Sequence, residues 1–119
     1  MARQMQHVAT MSRLQDLRYF NRPIIAEFYT EYAFNDYRWC APCKRVRSVL
    51  EKELNDNPNA FTVANINTDE ADEVVIEYEV EVVPTVVVLK RDEKLTVVDR
   101  RAVNMKELWV MRRRSLGNS

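Results

Sequence analysis

Two cysteines separated by two residues are the part of this sequence best suited to chemistry. Cys40 and Cys43 are the only cysteines among 119 residues. A secreted disulfide scaffold would use more cysteines, spread along the chain to join distant segments. Cysteines spaced i and i+3 lie on one face of a helix and are close enough for a disulfide. The spacing therefore indicates chemistry at the two sulfurs rather than structural bracing.

The residues that follow the first cysteine predict that the pair flanks the start of a helix over residues 42–55. The apolar side chains of this segment fall on one helical face: Val46, Val49, Leu50 and Leu54. Pro42 suits the first turn, where its missing N–H is not needed. The unpaired N–H groups and the positive end of the helix dipole stabilise a thiolate there. We expect Cys40 to be the low-pKa nucleophile and Cys43, one turn later, to be the resolving thiol.

Three other interpretations of the pair compete with this one. A zinc site needs two further Cys or His ligands, and the chain offers only His7, so an intramolecular four-ligand site is excluded and only an intermolecular one stays open. The cysteines could instead be buried structural thiols. They could also be redox-capable but serve a non-catalytic role in a larger assembly.

Composition limits the classes of partner. Lys and Arg together number 18, as do Asp and Glu, so net charge gives no reason to expect nucleic acid or an anionic membrane. An acidic stretch at residues 69–81 and a basic one at 100–114 are either two solvated helix faces or a charged docking surface. No apolar run approaches the ~18 residues of a membrane span. No apolar segment follows Arg3, so we expect no secretory signal.

The elements that must position the cysteines alternate along what we interpret as a single domain over residues 1–119. The periodicity predicts helices at 11–20, 42–55 and 69–78, and a last helix capped by Asn104. Strands are predicted at 23–29, 61–67, 85–89 and 95–98. The last two form a hairpin of undetermined register, because the residues between them lack the dipeptides of tight turns. Strands alternating with helices favour an α/β fold.

Four segments of the chain resemble the thioredoxin family, and the similarity extends over about residues 5–115. They are Ala-Glu-Phe-Tyr at 26–29, Trp-Cys-Ala-Pro-Cys-Lys at 39–44, Asn-Thr-Asp-Glu at 67–70 and Val-Pro-Thr at 83–85. The resemblance implies a three-layer α/β/α thioredoxin fold around a mixed five-stranded sheet. It also implies a protein-disulfide reductase with no cofactor or metal beyond the redox-active disulfide. A thioredoxin-reductase-like flavoprotein would recycle it.

The resemblance further assigns roles to the residues around the pair. Pro84 is expected to be cis and to face the cysteines, with the backbone of Val83 pairing to an extended substrate peptide. Trp39 is expected to pack beside the thiols, unless it is a surface aromatic. Glu27 takes the position of a buried Asp, where burial would raise its pKa so that it accepts the proton of Cys43. The alternative for Glu27 is an outward-facing carboxylate.

Other features depart from the family. Asn65 stands where many members place a lysine that pairs with the buried acid, so we expect that cation to be absent. Ala41 replaces the usual glycine between the cysteines, which is a mild change. Residues 32–38 are inserted before the cysteines and contain three aromatics, which suggest a packed flap or a partner contact; a drifting surface loop is the alternative. Glycines that border the groove are replaced by Val82 and residues 100–102, so we expect either a more selective groove or impaired recycling by a reductase.

The sequence therefore favours a monomeric thiol–disulfide oxidoreductase that reduces protein disulfides. Its few cysteines favour a reducing compartment, with the cytoplasm as default and the mitochondrial matrix, after removal of a presequence, as the alternative. A divergent thioredoxin-like binding or assembly factor with little general reductase activity is the second hypothesis. An oxidase or isomerase of a secretory compartment is weaker, because the chain has no signal and no His between the cysteines.

Overall fold

A computed structural model describes residues 5–31 and 40–102. Its strands are β1 (Met5–His7), β2 (Ile24–Tyr29), β3 (Thr62–Asn67), β4 (Thr85–Leu89) and β5 (Val97–Ala102). Its helices are α1 (Met11–Asp16), which continues as a 3-10 turn over Leu17–Phe20, α2 (Ala41–Asp56) and α3 (Asp72–Glu77). The α/β class predicted from the sequence is confirmed. The last helix, predicted from Asn104 onward, lies outside the described residues.

The five strands form one mixed sheet in the order β1-β3-β2-β4-β5. Strands β1 and β2 run parallel to β3, whereas β4 runs antiparallel to both β2 and β5. Every residue of β2 and of β4 is buried. Their mostly apolar sequences fit this central position, because a strand covered on both faces does not alternate apolar with polar residues. The mixed five-stranded sheet implied by the family resemblance is thus present.

Two apolar clusters lie on opposite faces of the sheet. One gathers residues of α1, the 3-10 turn and α3 against the sheet, among them Leu14, Leu17, Phe28, Ile66 and Val74. The other lies under α2 and contains Ile25, Val46, Leu50, Leu54 and Phe61. The apolar face predicted for α2 is the buried one, with Val49 partly buried at its edge. The layers are therefore helix, sheet and helix. None of the helices described here is long and apolar enough to cross a membrane.

The edge strand β5 differs from the prediction, which placed it at residues 95–98. Leu95 is buried with φ 52°, and the side chain of Asp92 accepts hydrogen bonds from the N–H and the hydroxyl of Thr96 at 2.9 and 2.6 Å. These residues complete the turn, so the strand begins two residues later and continues to Ala102. A register irregularity at Val88 and Leu89 accommodates the change.

Helix α3 is also shorter than the predicted span of 69–78. Asp69 does not join the helix, because its N–H donates to Oδ1 of Asn67 at 2.9 Å. Its carboxylate accepts a hydrogen bond from the hydroxyl of Thr30, which directly follows β2. The helix ends at Glu77, and Glu79 adopts a φ of 52°. Strand β1 has only three residues, too few for a periodic pattern to reveal it in the sequence.

Candidate redox-active site

The two cysteines are joined in a disulfide at the N-terminus of α2, with their Cα atoms 5.1 Å apart. Cys40 is the N-cap residue of the helix, and its Sγ accepts a hydrogen bond from the N–H of Cys43 at 3.3 Å. Its carbonyl accepts one from the N–H of Lys44 at 3.1 Å. Pro42 lies in the first turn, where no N–H is required. The predicted placement of the pair at a helix start is confirmed.

The two sulfur-bearing residues differ in exposure. Cys40 is half-buried and Cys43 is completely buried, while Ala41 and Pro42 between them are exposed. A sulfur that caps a helix N-terminus is in the position where backbone N–H groups and the helix dipole favour a thiolate. The geometry therefore supports Cys40 as the sulfur that meets another molecule, although the division of roles stays a prediction.

The peptide bond between Val83 and Pro84 is cis, as the resemblance implied. Pro84 is buried and directly precedes β4. Because Thr85 pairs with Phe28 of β2, Pro84 lies beside the end of β2 from which the chain continues toward Cys40. The hydroxyl of Thr85 donates to the carbonyl of Val82 and braces the loop. Within the described residues, the main chain of Val83 makes no hydrogen bond.

Glu27 is completely buried in β2 and its side chain is on the sheet face covered by α2. Its Oε1 accepts hydrogen bonds from Nδ2 of Asn65, and from Nε and Nη2 of Arg47 at 3.4 and 3.3 Å. Its Oε2 is buried and has no hydrogen-bond partner among the described residues. Burial raises the pKa of this carboxyl, and the Arg47 charge and the Asn65 hydrogen bond oppose that rise only in part. The alternative of an outward-facing carboxylate is wrong.

Arg47 is the site residue that the sequence analysis missed. Asn65 stands where many family members have a lysine, and we expected the buried acid to lack a cation. It has one nevertheless, because Arg47 comes from α2 instead of β3. The guanidinium of Arg47 also lies over the ring of Tyr29, 4.2 Å from its centroid. Its spacing could have revealed Arg47 in the sequence, because a residue four positions after Cys43 lies on the same face of the helix.

The thioredoxin family model matches residues 8–108. This chain belongs to the thioredoxin family. Probable thioredoxin-2 of Caenorhabditis elegans is 34% identical over 74 residues, which cover 62% of this chain and 46% of that protein. The thioredoxin of Mycoplasmoides gallisepticum is 29% identical over 83 residues, covering 70% of this chain and 75% of that one. The chain thus spans about half the length of the first relative and three quarters of the second.

The solved structures agree with this assignment. The crystal structure of Fasciola hepatica thioredoxin superposes with a TM-score of 0.75 at 26% identity, over 92% of this chain and 98% of that one. The thioredoxin fold expected from the resemblance is therefore shown. Thioredoxin membership and the disulfide between Cys40 and Cys43 together make this pair the candidate site for thiol–disulfide exchange.

Hydrogen bonds to Thr68 and Asp69 fix the chain of the thioredoxin domain where β2 ends. Asp69 accepts hydrogen bonds from the hydroxyl of Thr30 at 2.7 Å and from the N–H of Glu31 at 3.3 Å. Thr68 donates to the carbonyl of Tyr29 through both its N–H and its hydroxyl, at 2.8 and 3.0 Å. The family-like segment at 67–70 therefore fixes the chain immediately before the inserted residues.

The remaining predictions for the thioredoxin site have mixed outcomes. Trp39 and the inserted residues 32–38 lie outside the described residues, so their packing stays a prediction.

Val82 is 55% exposed beside the cis peptide. Arg100 is exposed and donates to the carbonyl of Glu79 at 3.3 Å, bridging the edge strand to the loop before that peptide. Side chains thus stand at the groove border, where other family members have glycines. Whether they make the groove selective stays a prediction.

Proposed function

We propose that this protein is a thioredoxin-type protein-disulfide reductase that acts through Cys40 and Cys43. The observation that carries the proposal is the asymmetric disulfide at the N-terminus of α2, with one cysteine accessible and the other buried. A reductase of this kind needs one sulfur that can meet a substrate and a second that the substrate cannot reach. The pair supplies both without any other cofactor.

The first step is attack on the substrate. The thiolate of Cys40 attacks one sulfur of a protein disulfide, the substrate S–S bond breaks, and a mixed disulfide forms between Cys40 and the substrate. The displaced substrate sulfur leaves as a thiolate and takes a proton from solvent. The N–H groups at the start of α2 stabilise Cys40 as a thiolate before the attack.

The second step releases the product. The thiol of Cys43 gives its proton to the Glu27 carboxylate, and the resulting thiolate attacks Sγ of Cys40. The mixed disulfide breaks, the second substrate sulfur leaves as a thiolate and is protonated, and the Cys40–Cys43 disulfide forms. Two electrons have then passed from the pair to the substrate. The burial of Glu27 supports its role as the acceptor, and so does its Oε2, which has no hydrogen-bond partner in the described part of the chain.

An extended substrate peptide would bind along the loop at the cis peptide. Val83 has a main chain without a hydrogen bond in the described part of the fold, which suits pairing in the manner of an added strand. Val82 and Pro42 are exposed near this loop and near the disulfide, respectively. We therefore place the substrate segment between the cis peptide and Cys40.

A thioredoxin-reductase-like flavoprotein would return the pair to its dithiol form. One relative, from Mycobacterium leprae, is named a bifunctional thioredoxin reductase/thioredoxin and is 30% identical over 83 residues, 17% of its length. That name supports the pairing of the two activities. The cytoplasm is the proposed location. The mitochondrial matrix is the alternative, which a relative named mitochondrial thioredoxin, from Mus musculus, favours.

Insulin reduction by dithiothreitol tests the proposed activity. The wild-type protein should accelerate precipitation of the insulin B chain, and Cys40→Ser should abolish the acceleration because it removes the attacking sulfur. Lys52→Gln, on an exposed part of α2, is the matched control and should behave as wild type. A wild-type rate no greater than that of dithiothreitol alone would show that the protein is not a general reductase.

Trapping tests the division of roles within the pair. Cys43→Ser should accumulate mixed disulfides through Cys40 in a cell extract, visible as adducts that dithiothreitol removes. Cys40→Ser should accumulate few, because Cys43 is buried. Equal trapping by the two variants would contradict the assignment. A partner that still binds after both cysteines are replaced by serine would instead favour the binding-factor hypothesis.

A further inference from the structure

The side chain of Arg47 connects the helix that carries the cysteines to the buried acid beneath it. It lies four residues after Cys43 on α2, and its side chain is only 25% exposed. Two of its nitrogens bind Oε1 of Glu27, and its guanidinium stacks over Tyr29 at 4.2 Å. A stacked, two-pronged guanidinium has a defined orientation that a flexible lysine would not have.

The contacts divide the two oxygens of Glu27 into different roles. Oε1 receives donors from α2 and from β3, namely Arg47 and Asn65. Oε2 is buried with no hydrogen-bond partner among the described residues. A carboxylate held in this way offers one oxygen, in one orientation, to an incoming proton. Since buried polar atoms are nearly always partnered, an orphaned carboxylate oxygen calls for an explanation, and a catalytic role is one.

We propose that Arg47 is a positioning residue for the resolving step: it anchors Oε1 of Glu27 so that Oε2 stands ready to accept the proton of Cys43. The inference rests on the proposed reductase function. In the step, the S–H bond of Cys43 breaks, its proton forms an O–H bond with Oε2, and the thiolate left behind attacks Sγ of Cys40. Arg47 stays bound to Oε1 throughout and gives up no proton.

Among the charged groups around Glu27, Arg47 has the largest effect on the pKa of its carboxyl. Arg47 is the strongest influence that lowers the pKa of the carboxyl against the effect of burial, and Asn65 adds a hydrogen bond in the same direction. Glu51, also on α2, acts the other way. On the β4 side Glu27 faces Val86, and Arg101 of β5 lies one strand further. Replacing Arg47 should therefore leave the carboxyl protonated to higher pH.

Stopped-flow mixing of the reduced protein with one equivalent of the aromatic disulfide DTNB tests this inference, because the second thiol release reports the resolving step. Arg47→Met keeps an apolar side chain over Tyr29 but removes the charge. At the acid end of the pH profile it should slow the second release about tenfold, and at the alkaline plateau it should agree with wild type within about twofold. Arg45→Met, which removes an exposed cation from the same helix, should leave the profile unchanged.

Two further variants separate a positioning role from a merely structural one. Arg47→Lys retains the charge and should restore part of the acid-limb rate. In a Glu27→Gln background, Arg47→Met should change the rate less than about twofold, because the group through which it acts is gone. An equal effect of Arg47→Met with and without Glu27 would overturn the inference, as would identical profiles for Arg47→Met and Arg45→Met.

A carboxyl titration by carbon NMR, with labelled glutamate, keeps the inference testable apart from turnover. The Glu27 signal should titrate at higher pH in Arg47→Met than in wild type. In Arg45→Met it should titrate at the same pH as in wild type. If wild type shows no reductase activity but this coupling is present, the proposed function fails and the electrostatic link stands. If wild type is active and the Glu27 titration is the same in all three proteins, the inference fails alone.

Discussion

At the scale of single residues, the buried carboxylate of Glu27 is the most unusual feature of the domain. Its Oε1 accepts three hydrogen bonds, and the partly buried Arg47 cation lies beside it; both effects lower the pKa of the carboxyl. The loss of hydration on burial is larger, so the pKa is raised. Holding this acid ionised in the folded state costs stability, because the charged form is desolvated. The arrangement is understandable if the acid serves the exchange of a proton with Cys43.

The raised pKa of Glu27 predicts how stability depends on pH. The folded state holds the proton more tightly than the unfolded state, whose pKa is near the ordinary 4.5. The carboxyl therefore favours folding most below that value, and this contribution is lost as pH rises through the raised folded pKa. Gln at this position does not titrate. The unfolding free energy of Glu27→Gln, relative to wild type, should thus increase as pH rises from about 4 to 8.

Urea denaturation at a series of pH values measures this difference. Glu93→Gln, at an exposed position, is the control and should differ from wild type by a constant amount. A Glu27→Gln difference that is equally constant across the range would contradict the raised pKa.

At the scale of elements, the domain makes its turns without glycine, since the one glycine is Gly117. Helix α3 ends in a Schellman motif in which Glu79 holds the left-handed position at φ 52°. The N–H of Glu79 binds the carbonyl of Ile76 at 3.2 Å, and the N–H of Val80 binds that of Val75 at 3.1 Å. This position ordinarily takes glycine, because a Cβ there is crowded. The turn leads directly into the loop with the cis peptide.

Replacing Glu79 by Gly should therefore stabilise the domain by about 0.5–1 kcal/mol, the relief of left-handed crowding exceeding the added freedom of the unfolded chain. Thermal and urea unfolding of the purified variant measure the change. Asn21→Gly is the matched control, since Asn21 also has a positive φ, of 61°, but asparagine tolerates it. Its effect should stay below about 0.5 kcal/mol. A destabilised Glu79→Gly would show that the acidic side chain itself holds the turn.

At the scale of the whole molecule, the sheet divides the interior into two apolar clusters that share strands β2, β3 and β4. Neighbouring residues of one strand, such as Val63 and Ala64, belong to different clusters. Loss of either helix layer would expose one face of these same central strands. The two clusters should therefore unfold together, as expected if residues 1–119 form the single domain predicted from the sequence.

Single valine truncations on the two faces test this cooperativity. Val63→Ala under α2 and Val74→Ala on α3 each remove methyl groups from completely buried positions, and each should cost about 1–3 kcal/mol. Far- and near-ultraviolet circular dichroism should give coincident transitions for both variants, and the double variant should be additive within about 0.5 kcal/mol. A second transition in one variant alone would mean that the two faces fold as separate units.

The sequence by itself determined the features whose causes are local. The spacing of Cys40 and Cys43, Pro42 in the first turn and an apolar stripe along α2 all act within one helix, so the position of the pair at the helix start followed from them. The buried strands β2 and β4 were equally visible, because both are mostly apolar along their whole length. The turn that makes β5 begin two residues later than predicted was not visible in the sequence, since nothing in the residue types shows that Leu95 takes a left-handed conformation.

Only the tertiary structure decided the surroundings of the pair. Glu27, Arg47 and Asn65 come from β2, α2 and β3, and no periodicity relates positions 20 and 38 residues apart. The family resemblance supplied the acid and the cis peptide, but the family's cation position lies on β3, where this chain has Asn65, so no cation was expected. The cation comes from α2 because that helix packs across β2, which puts a side chain one turn beyond Cys43 within reach of the buried carboxylate. The chemistry of the sulfurs is thus set by local sequence, and the electrostatics of the proton acceptor by packing between distant segments.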